Sequence, residues 1–233
     1  MAKRDSTKLD IVLLSVPRIA PVRPQMAMGV LKGICNELGL TSLVLDINQD
    51  FYLKWGKTNS DTVEKLDDYF IEFSKPLPFD VKEQYYEWLD QWVDKIVEKD
   101  PKHIGISVFS WQSQRFTRDL LTRLRPKTSA VIHIGGQGLV HNQNLSAHWA
   151  NKVTFAWELL DNNLIDYFMK GESEDTFKRY MLGDRTLPGL NNDSVVKFSD
   201  LDTVALPDYT DLDVTDYQNG YEKGVLPIES SRG

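Results

Sequence analysis

Cysteine is almost missing from this chain: Cys35 is the only one in 233 residues. A single thiol builds neither a disulfide frame nor a thiolate metal site, so a reducing, cytoplasmic setting is expected. Cys35 lies in an apolar helical pattern and reads as a buried, inert side chain. Basic runs are missing as well. The net charge is −7, and the one group of cations, Arg115 to Lys127, is spaced through apolar residues as on the solvated face of a helix. Both features argue against nucleic acid as a partner. No apolar run approaches the ~20 residues of a membrane span, and the amino terminus lacks the apolar core of a signal peptide, so no membrane partner is expected.

Specific motifs are absent too. A dinucleotide site wants G-x-G-x-x-G after the first strand, but the loop there, Val16 to Gln25, contains prolines and no glycine. No G-x-x-x-x-G-K-[ST] loop occurs, which removes P-loop chemistry. The third strand leads into Ser110-Trp-Gln-Ser113 where a phospho-acceptor domain would carry an aspartate. The four histidines, His103, His133, His141 and His148, include no i, i+4 pair and no H-E-x-x-H. His103 and His133 fall on strands and read as packing residues, whereas His141 follows a glycine-rich turn and could reach a crevice. These exclusions leave a binder rather than a catalyst.

What is present is a β-loop-α-β rhythm. Leu9 to Ser15 is a short apolar run suited to a strand covered on both faces. A loop punctuated by Pro17, Pro21 and Pro24 leads to a helix over Gln25 to Leu38, ended by Gly39. Further strands are expected at Ser42 to Asp46, His103 to Phe109, Ala130 to Ile134 and Ile165 to Met169. Helices are expected at Gln112 to Leu124 and from Gly171 through Leu182. Together these predict an α/β fold: a Rossmann-like (flavodoxin-like) five-stranded parallel sheet with helices on both faces, over residues 1–185.

A helical insertion occupies about residues 47–100. Asp61 to Phe73 is its weaker helix. Asp80 to Lys99 places Val81, Tyr85, Trp88, Leu89, Trp92, Val93, Ile96 and Val97 on one stripe. This stripe reads either as a face packed on the sheet or as a lid or docking surface, since Trp and Tyr are enriched at interfaces. Leu139 to Leu160 has no clear pattern. Residues 186–233 read as a linker that enters a new strand at Val225 to Ile228.

The stretch with most functional content is Val131-Ile-His-Ile-Gly-Gly-Gln-Gly138. Strand residues run straight into a glycine-rich turn, which lets a ligand approach the backbone. In open α/β sheets ligands sit at the carboxyl ends of the strands. Gly135, Gly136, Gln137 and Gly138 are therefore expected on the crevice floor. Ser107 and Ser110 could supply hydroxyl donors, and Phe109 and Trp111 apolar or aromatic cover. Ser107 has a second reading, as a strand serine bonded to local backbone.

In order along the chain, the motifs resemble the amino-terminal half of a B12-binding radical SAM protein. The resemblance rests on the Pro-rich loop running into Met28-Gly29, on Ile104-Gly-Ile-Ser107 and on Ile134-Gly-Gly136. It extends to Asp166-Tyr-Phe-Met-Lys-Gly-Glu172, similar to the family's fifth-strand segment, and to Leu226-Pro-Ile-Glu-Ser-Ser-Arg-Gly233, which looks like the first strand of the radical SAM barrel. The resemblance implies that this domain binds cobalamin, the nucleotide tail lowered into the carboxyl edge of the sheet, with Gly171 and Glu172 adding to the site. It implies a chain cut just before the three-cysteine motif. A [4Fe-4S] cluster and S-adenosylmethionine would then belong to the missing barrel, the domain's own partner. Cobalamin proteins whose histidine ligates cobalt carry D-x-H-x-x-G after the first strand. Ser15 to Gly29 contains no histidine, so no cobalt ligand is expected from that loop. Two further readings are a cofactor-free docking module using the Tyr/Trp helix and a nucleotide-binding Rossmann domain.

Overall fold

The computed structural model describes residues 8–56, 60–139, 154–194, 196, 201–219, 222–223 and 226–228. His141, His148 and the end of the Leu226 to Gly233 phrase lie outside the described residues. Five strands, β1 (Ile11–Ser15), β2 (Ser42–Asp46), β3 (His103–Ser107), β4 (Val131–Gly135) and β5 (Tyr167–Met169), form one parallel sheet in the order β2-β1-β3-β4-β5. The chain steps outward from β1 to β2, then crosses back to β3 on the other side of β1. The boundary between β1 and β3 is thus the topological switch point, where the loops after the two strands diverge and open a crevice.

Helices α1 (Met26–Glu37) and α7 (Glu174–Met181) cover one face of the sheet. The other face carries α2 (Ile47–Phe51), α3 (Ser60–Ile71), α4 (Phe79–Glu98), α5 (Gln114–Leu124) and α6 (Thr154–Asp161). Helix α6 falls where the sequence pattern is vague, and its Phe155, Ala156 and Leu159 are buried. Among the described residues, no helix is long and apolar enough to cross a membrane.

The two faces differ at their centre because strand side chains alternate with period two. In β3, His-Ile-Gly-Ile-Ser places Ile104 and Ile106 on the α5 side, and His103, Gly105 and Ser107 on the α1/α7 side. In β4, Val-Ile-His-Ile-Gly does the same with Ile132 and Ile134 against Val131, His133 and Gly135. The register aligns the two patterns, pairing Ile104 with Ile132, Gly105 with His133 and Ser107 with Gly135. One face of the central sheet is therefore solid isoleucine. The other is small or polar and cannot fill the space beneath its helices.

The aromatic stripe of α4 packs inward. Val81, Tyr85, Trp88, Leu89, Trp92, Val93 and Ile96 are all buried, and Trp88 lies within 5.9 Å of the Phe51 ring and 5.8 Å of the Phe116 ring. Its polar atoms are used internally. Trp88 Nε1 and Trp92 Nε1 donate to Asp50 at 2.7 and 2.8 Å, and the Tyr69 and Tyr85 hydroxyls donate to Asp119 at 2.9 Å each. Burial raises the Asp119 carboxyl above the ordinary carboxylate range. These aromatics belong to the core and offer no free docking face.

The segment after α7 lies against both edges of the sheet. At the β5 edge, Lys170 N–H donates to Gly189 O at 2.9 Å, and Phe168 N–H donates to the Asn191 side chain at 2.7 Å. At the β2 edge, Val44 N–H donates to the Asp211 carboxylate at 2.8 Å. That carboxylate also pairs with the buried ammonium of Lys32. Tyr217 bonds the half-buried Asp46, and Gln49 Nε2 donates to Asp216 O at 2.6 Å. Edge strands leave unpaired N–H and C=O groups that invite wrong partners, and here the same chain covers them.

Between these anchors residues 205–209 run over α1, where Asp208 N–H donates to Gly29 O at 2.9 Å. Gly33 permits that contact, since a Cβ there would stand 2.1 Å from Leu206 O. Gly33→Ala must push the strap off the helix. We expect it to cost about 1–3 kcal/mol in urea unfolding and to raise amide exchange across 204–217; unchanged exchange there would refute the strap's dependence on this contact.

Candidate functional site

The uneven face of the sheet opens into a cleft of about 480 Å³ between α1 and α7, within the size range of ligand sites. Both helices run antiparallel to the strands, so their amino termini lie at the carboxyl edge. Toward their far ends they are tied by Lys178 and Glu37 at 2.7 Å. The lining comes from the first half of each: Met26, Ala27, Val30 and Leu31 from α1, Glu174 and Phe177 from α7. Along the floor, Gly105 and His133 lie deepest, Ser107 and Gly135 follow, and Phe109, Gly136 and Gln137 stand at the strand ends.

Of the residues expected at the crevice, the structure brings Ser107, Phe109, Gly135, Gly136, Gln137, Gly171 and Glu172 into this one lining. Phe109 is 48% exposed at the rim. Ser110, Trp111 and Gly138 are not among the lining residues. Trp111 begins a short turn, Trp111–Ser113, that leads into α5. Gly138 serves the packing of the loops after β3 and β4: its N–H donates to Val108 O at 2.8 Å, and a Cβ there would stand 2.4 Å from Ser110 O.

The two neighbouring glycines of the turn have different jobs. Gly136 has φ +108°, and a Cβ on it would come within 2.4 Å of Val108 O. It is required by the backbone itself. At Gly135 a Cβ would meet only Met169 O, at 3.7 Å. That position is tolerant, and a larger side chain there would project into the cleft.

Sequence reasoning about strand ends did not name Gln25 or His133 for the site. Gln25, just before α1, is 7% exposed, and its Nε2 donates to Ser107 Oγ at 2.6 Å. Ser107 is thus held by the Pro-rich loop across the switch point. The other amide atom, Gln25 Oε1, has no partner among the described residues. His133 packs beside Phe177 and Tyr180, with ring centroids 5.9 and 5.4 Å away. Burial holds it neutral by lowering its pKa from 6.5 to about 3. The signal that could have found His133 is strand parity, which puts it on the same face as Gly105, Ser107 and Gly135.

Electrostatically the lining is simple. Among the described residues, Glu172 and Glu174 are the only acids of the lining, and no lysine or arginine lines it. Neither α1 nor α7 has a side chain capping its amino terminus, so the positive ends of both helix dipoles face the rim. Among the described residues no cluster of His, Cys, Asp or Glu could hold a metal ion. Cys35 is buried, with its thiol pushed up to about 12 by desolvation, as suits an inert side chain.

No family model and no curated protein matches the sequence. Among solved structures, the chain is similar to a radical S-adenosylmethionine methyltransferase, TsrM, from Kitasatospora setae, in a structure with cobalamin and a [4Fe-4S] cluster bound. The identity is 19% over 77% of this chain and 26% of that one, with a TM-score of 0.43. In a second structure of TsrM, with tryptophan substrate and a SAM analogue, the figures are 21%, 78%, 28% and 0.44. A cobalamin-dependent S-adenosylmethionine radical enzyme, OxsB, gives 13% identity over 78% of this chain and 20% of that one, at 0.45. The chain spans less than a third of the length of each of these enzymes. At these scores the likeness carries no functional argument.

The buried neutral imidazole has a consequence for stability. Between pH ~6.5 and ~3 the unfolded chain binds a proton at His133 that the native state does not. Its contribution is therefore complete above pH 6.5 and is lost as the pH falls through that window, by up to about 1.4 kcal/mol per pH unit. Between pH 7.5 and pH 5, the wild-type protein is expected to lose about 2 kcal/mol more than His133→Phe in urea unfolding. Equal losses would show that His133 is not held neutral.

Proposed function

We propose that this chain is the cobalamin-binding domain of a cobalamin-dependent radical S-adenosylmethionine enzyme. The observation that carries the reading is the cleft at the switch point, floored by Gly105, Ser107 and Gly135, where the central sheet is small and polar on one face only. The motifs that resemble the B12-binding radical SAM family supply three of its walls: the Pro-rich loop with Gln25, the Ile-Gly-Ile-Ser strand and the Ile-Gly-Gly turn.

The fit can be judged from the chain's own groups. A volume of about 480 Å³ suits a nucleoside-sized tail rather than a whole corrin, which would rest at the rim. Gly135 leaves room for the tail beside the backbone, Ser107 and Gln25 offer polar contacts, and Phe109 offers an aromatic edge at the mouth. The single phosphodiester of the tail would have the amino-terminal ends of α1 and α7 to face. A dinucleotide or triphosphate suits this lining poorly, because its described residues bring two acids, Glu172 and Glu174, and no lysine or arginine. Cobalamin would supply a metal-centred methyl carrier or a tuned one-electron step. The cluster that cleaves S-adenosylmethionine needs several thiolates, and Cys35 is the only one in the chain, so that chemistry belongs to a barrel domain supplied outside this sequence.

The test is a titration of the chain with hydroxocobalamin, followed by gel filtration and the visible spectrum. Stoichiometric corrinoid is expected to coelute with the wild-type protein. Gly135→Leu should weaken binding at least tenfold while the unfolding midpoint stays put. No retained corrinoid under either oxidising or reducing conditions, or a variant that binds as well as wild type, would sink the reading.

A further inference from the structure

We infer that His133 makes the deep end of this cleft selective for a corrinoid whose tail ends in a purine, over one whose tail ends in dimethylbenzimidazole. The inference rests on the cobalamin reading and narrows it to one chemical class of tail. A single row of the sheet forms the closed end. Leu13 of β1, Gly105 of β3 and His133 of β4 are register partners, and all three line the cleft. Gly105 leaves a notch in that row. A Cβ there would stand 3.0 Å from Leu13 Cδ2 on one side, and 3.3 and 3.6 Å from Cε1 and Nδ1 of His133 on the other. The imidazole thus turns its Cε1–Nδ1 edge to the notch, opposite an apolar side chain.

His133 is 4% exposed, and its Nε2 has no hydrogen-bond partner among the described residues. No bond at Nε2 therefore fixes which nitrogen carries the proton. Burial keeps the ring neutral, so Nδ1 can present either an N–H or a lone pair to the notch. The polar side chains one step further out, Gln25 and Ser107, bond each other at 2.6 Å. A tail lowered into the cleft puts its terminal base at this closed end. A purine carries ring nitrogens, and adenine an exocyclic amine as well, so it can meet Nδ1 as donor or acceptor. Dimethylbenzimidazole presents two methyl groups along its outer edge and leaves the imidazole nitrogen desolvated and unpaired, which is costly. A site that strands one of its own buried polar groups against the wrong ligand discriminates more strongly than one that only loses apolar contact.

The experiment compares two corrinoids that differ only in the tail base: hydroxocobalamin, which carries dimethylbenzimidazole, and its counterpart carrying adenine. Both are titrated into the wild-type chain, His133→Phe and His133→Gln. The cost of lifting the base from cobalt differs between the ligands, but it belongs to the free ligand and cancels when proteins are compared. The preference for the adenine form is expected to be at least tenfold greater on wild type than on His133→Phe, equivalent to about 1.4 kcal/mol. His133→Gln keeps a donor and an acceptor and should retain most of that preference. A reading without any variant comes from dividing out the base-off equilibria of the free ligands, taken from their visible spectra. The corrected wild-type preference should then be about tenfold in favour of adenine. Equal corrected binding would overturn the inference and leave the cobalamin reading intact. A preference unchanged in His133→Phe would overturn the assignment to His133. Retention of neither corrinoid by the wild type would remove the cobalamin reading, and this inference with it.

Discussion

The register between β3 and β4 is the constraint on which the rest of the molecule depends. Two five-residue strands of alternating character lie in parallel so that isoleucine meets isoleucine on one face, while Gly105 meets His133 and Ser107 meets Gly135 on the other. A one-residue slip would turn the isoleucines toward α1 and α7 and bury small and polar groups against α5. The large core under α2 to α6 holds the register, because it is built on Ile104, Ile106, Ile132 and Ile134. The cleft is the reverse side of that core. Hydrophobic packing on one face thus determines an unfilled space on the other.

What keeps that space open is the placement of the two covering helices. They are joined through Lys178 and Glu37 and diverge toward the strand ends. Residues 205–217 hold α1 from outside, through the Lys32–Asp211 pair and the contact of Leu206 with Gly33. Removing Asp211 leaves the buried ammonium of Lys32 without that partner, so this clasp is sensitive to single changes. The same segment covers the backbone edges of β2 and β5. It protects the sheet and fixes α1, which supplies one wall of the cleft.

The electrostatics of the site follow from what the walls are made of. Among the described residues the floor is uncharged and includes a neutral imidazole, two acids stand toward the rim, and two helix amino termini face it. The buried aromatic stripe of α4 matters for a different reason. With Trp88 and Trp92 bonded to Asp50 and Tyr85 bonded to Asp119, the insertion stabilises the far face and leaves the carboxyl edge to carry any interaction.

Much of this was legible in the residues. Apolar runs of strand length, helical stripes closed by Gly39 or Pro126, and the Ile-Gly-Gly turn specify a parallel sheet and point to its carboxyl edge, because period, capping and backbone freedom are local properties. Those local rules could not decide which of Gly135 to Gly138 faces a ligand. Gly136 and Gly138 are required by contacts with Val108 and Ser110, more than twenty residues away, and only Gly135 is spare. Nor could they bring Gln25 to Ser107, or His133 beneath α7, since those meetings depend on strand order and helix placement. The packing of the described parts of 187–217 on both sheet edges was likewise hidden, for their polar sequence gives no periodic signal. By itself the sequence determined the elements and the edge at which the cleft opens. The tertiary structure alone decided which side chains share the cleft, because side chains far apart in the chain become neighbours only when the register of the sheet is set.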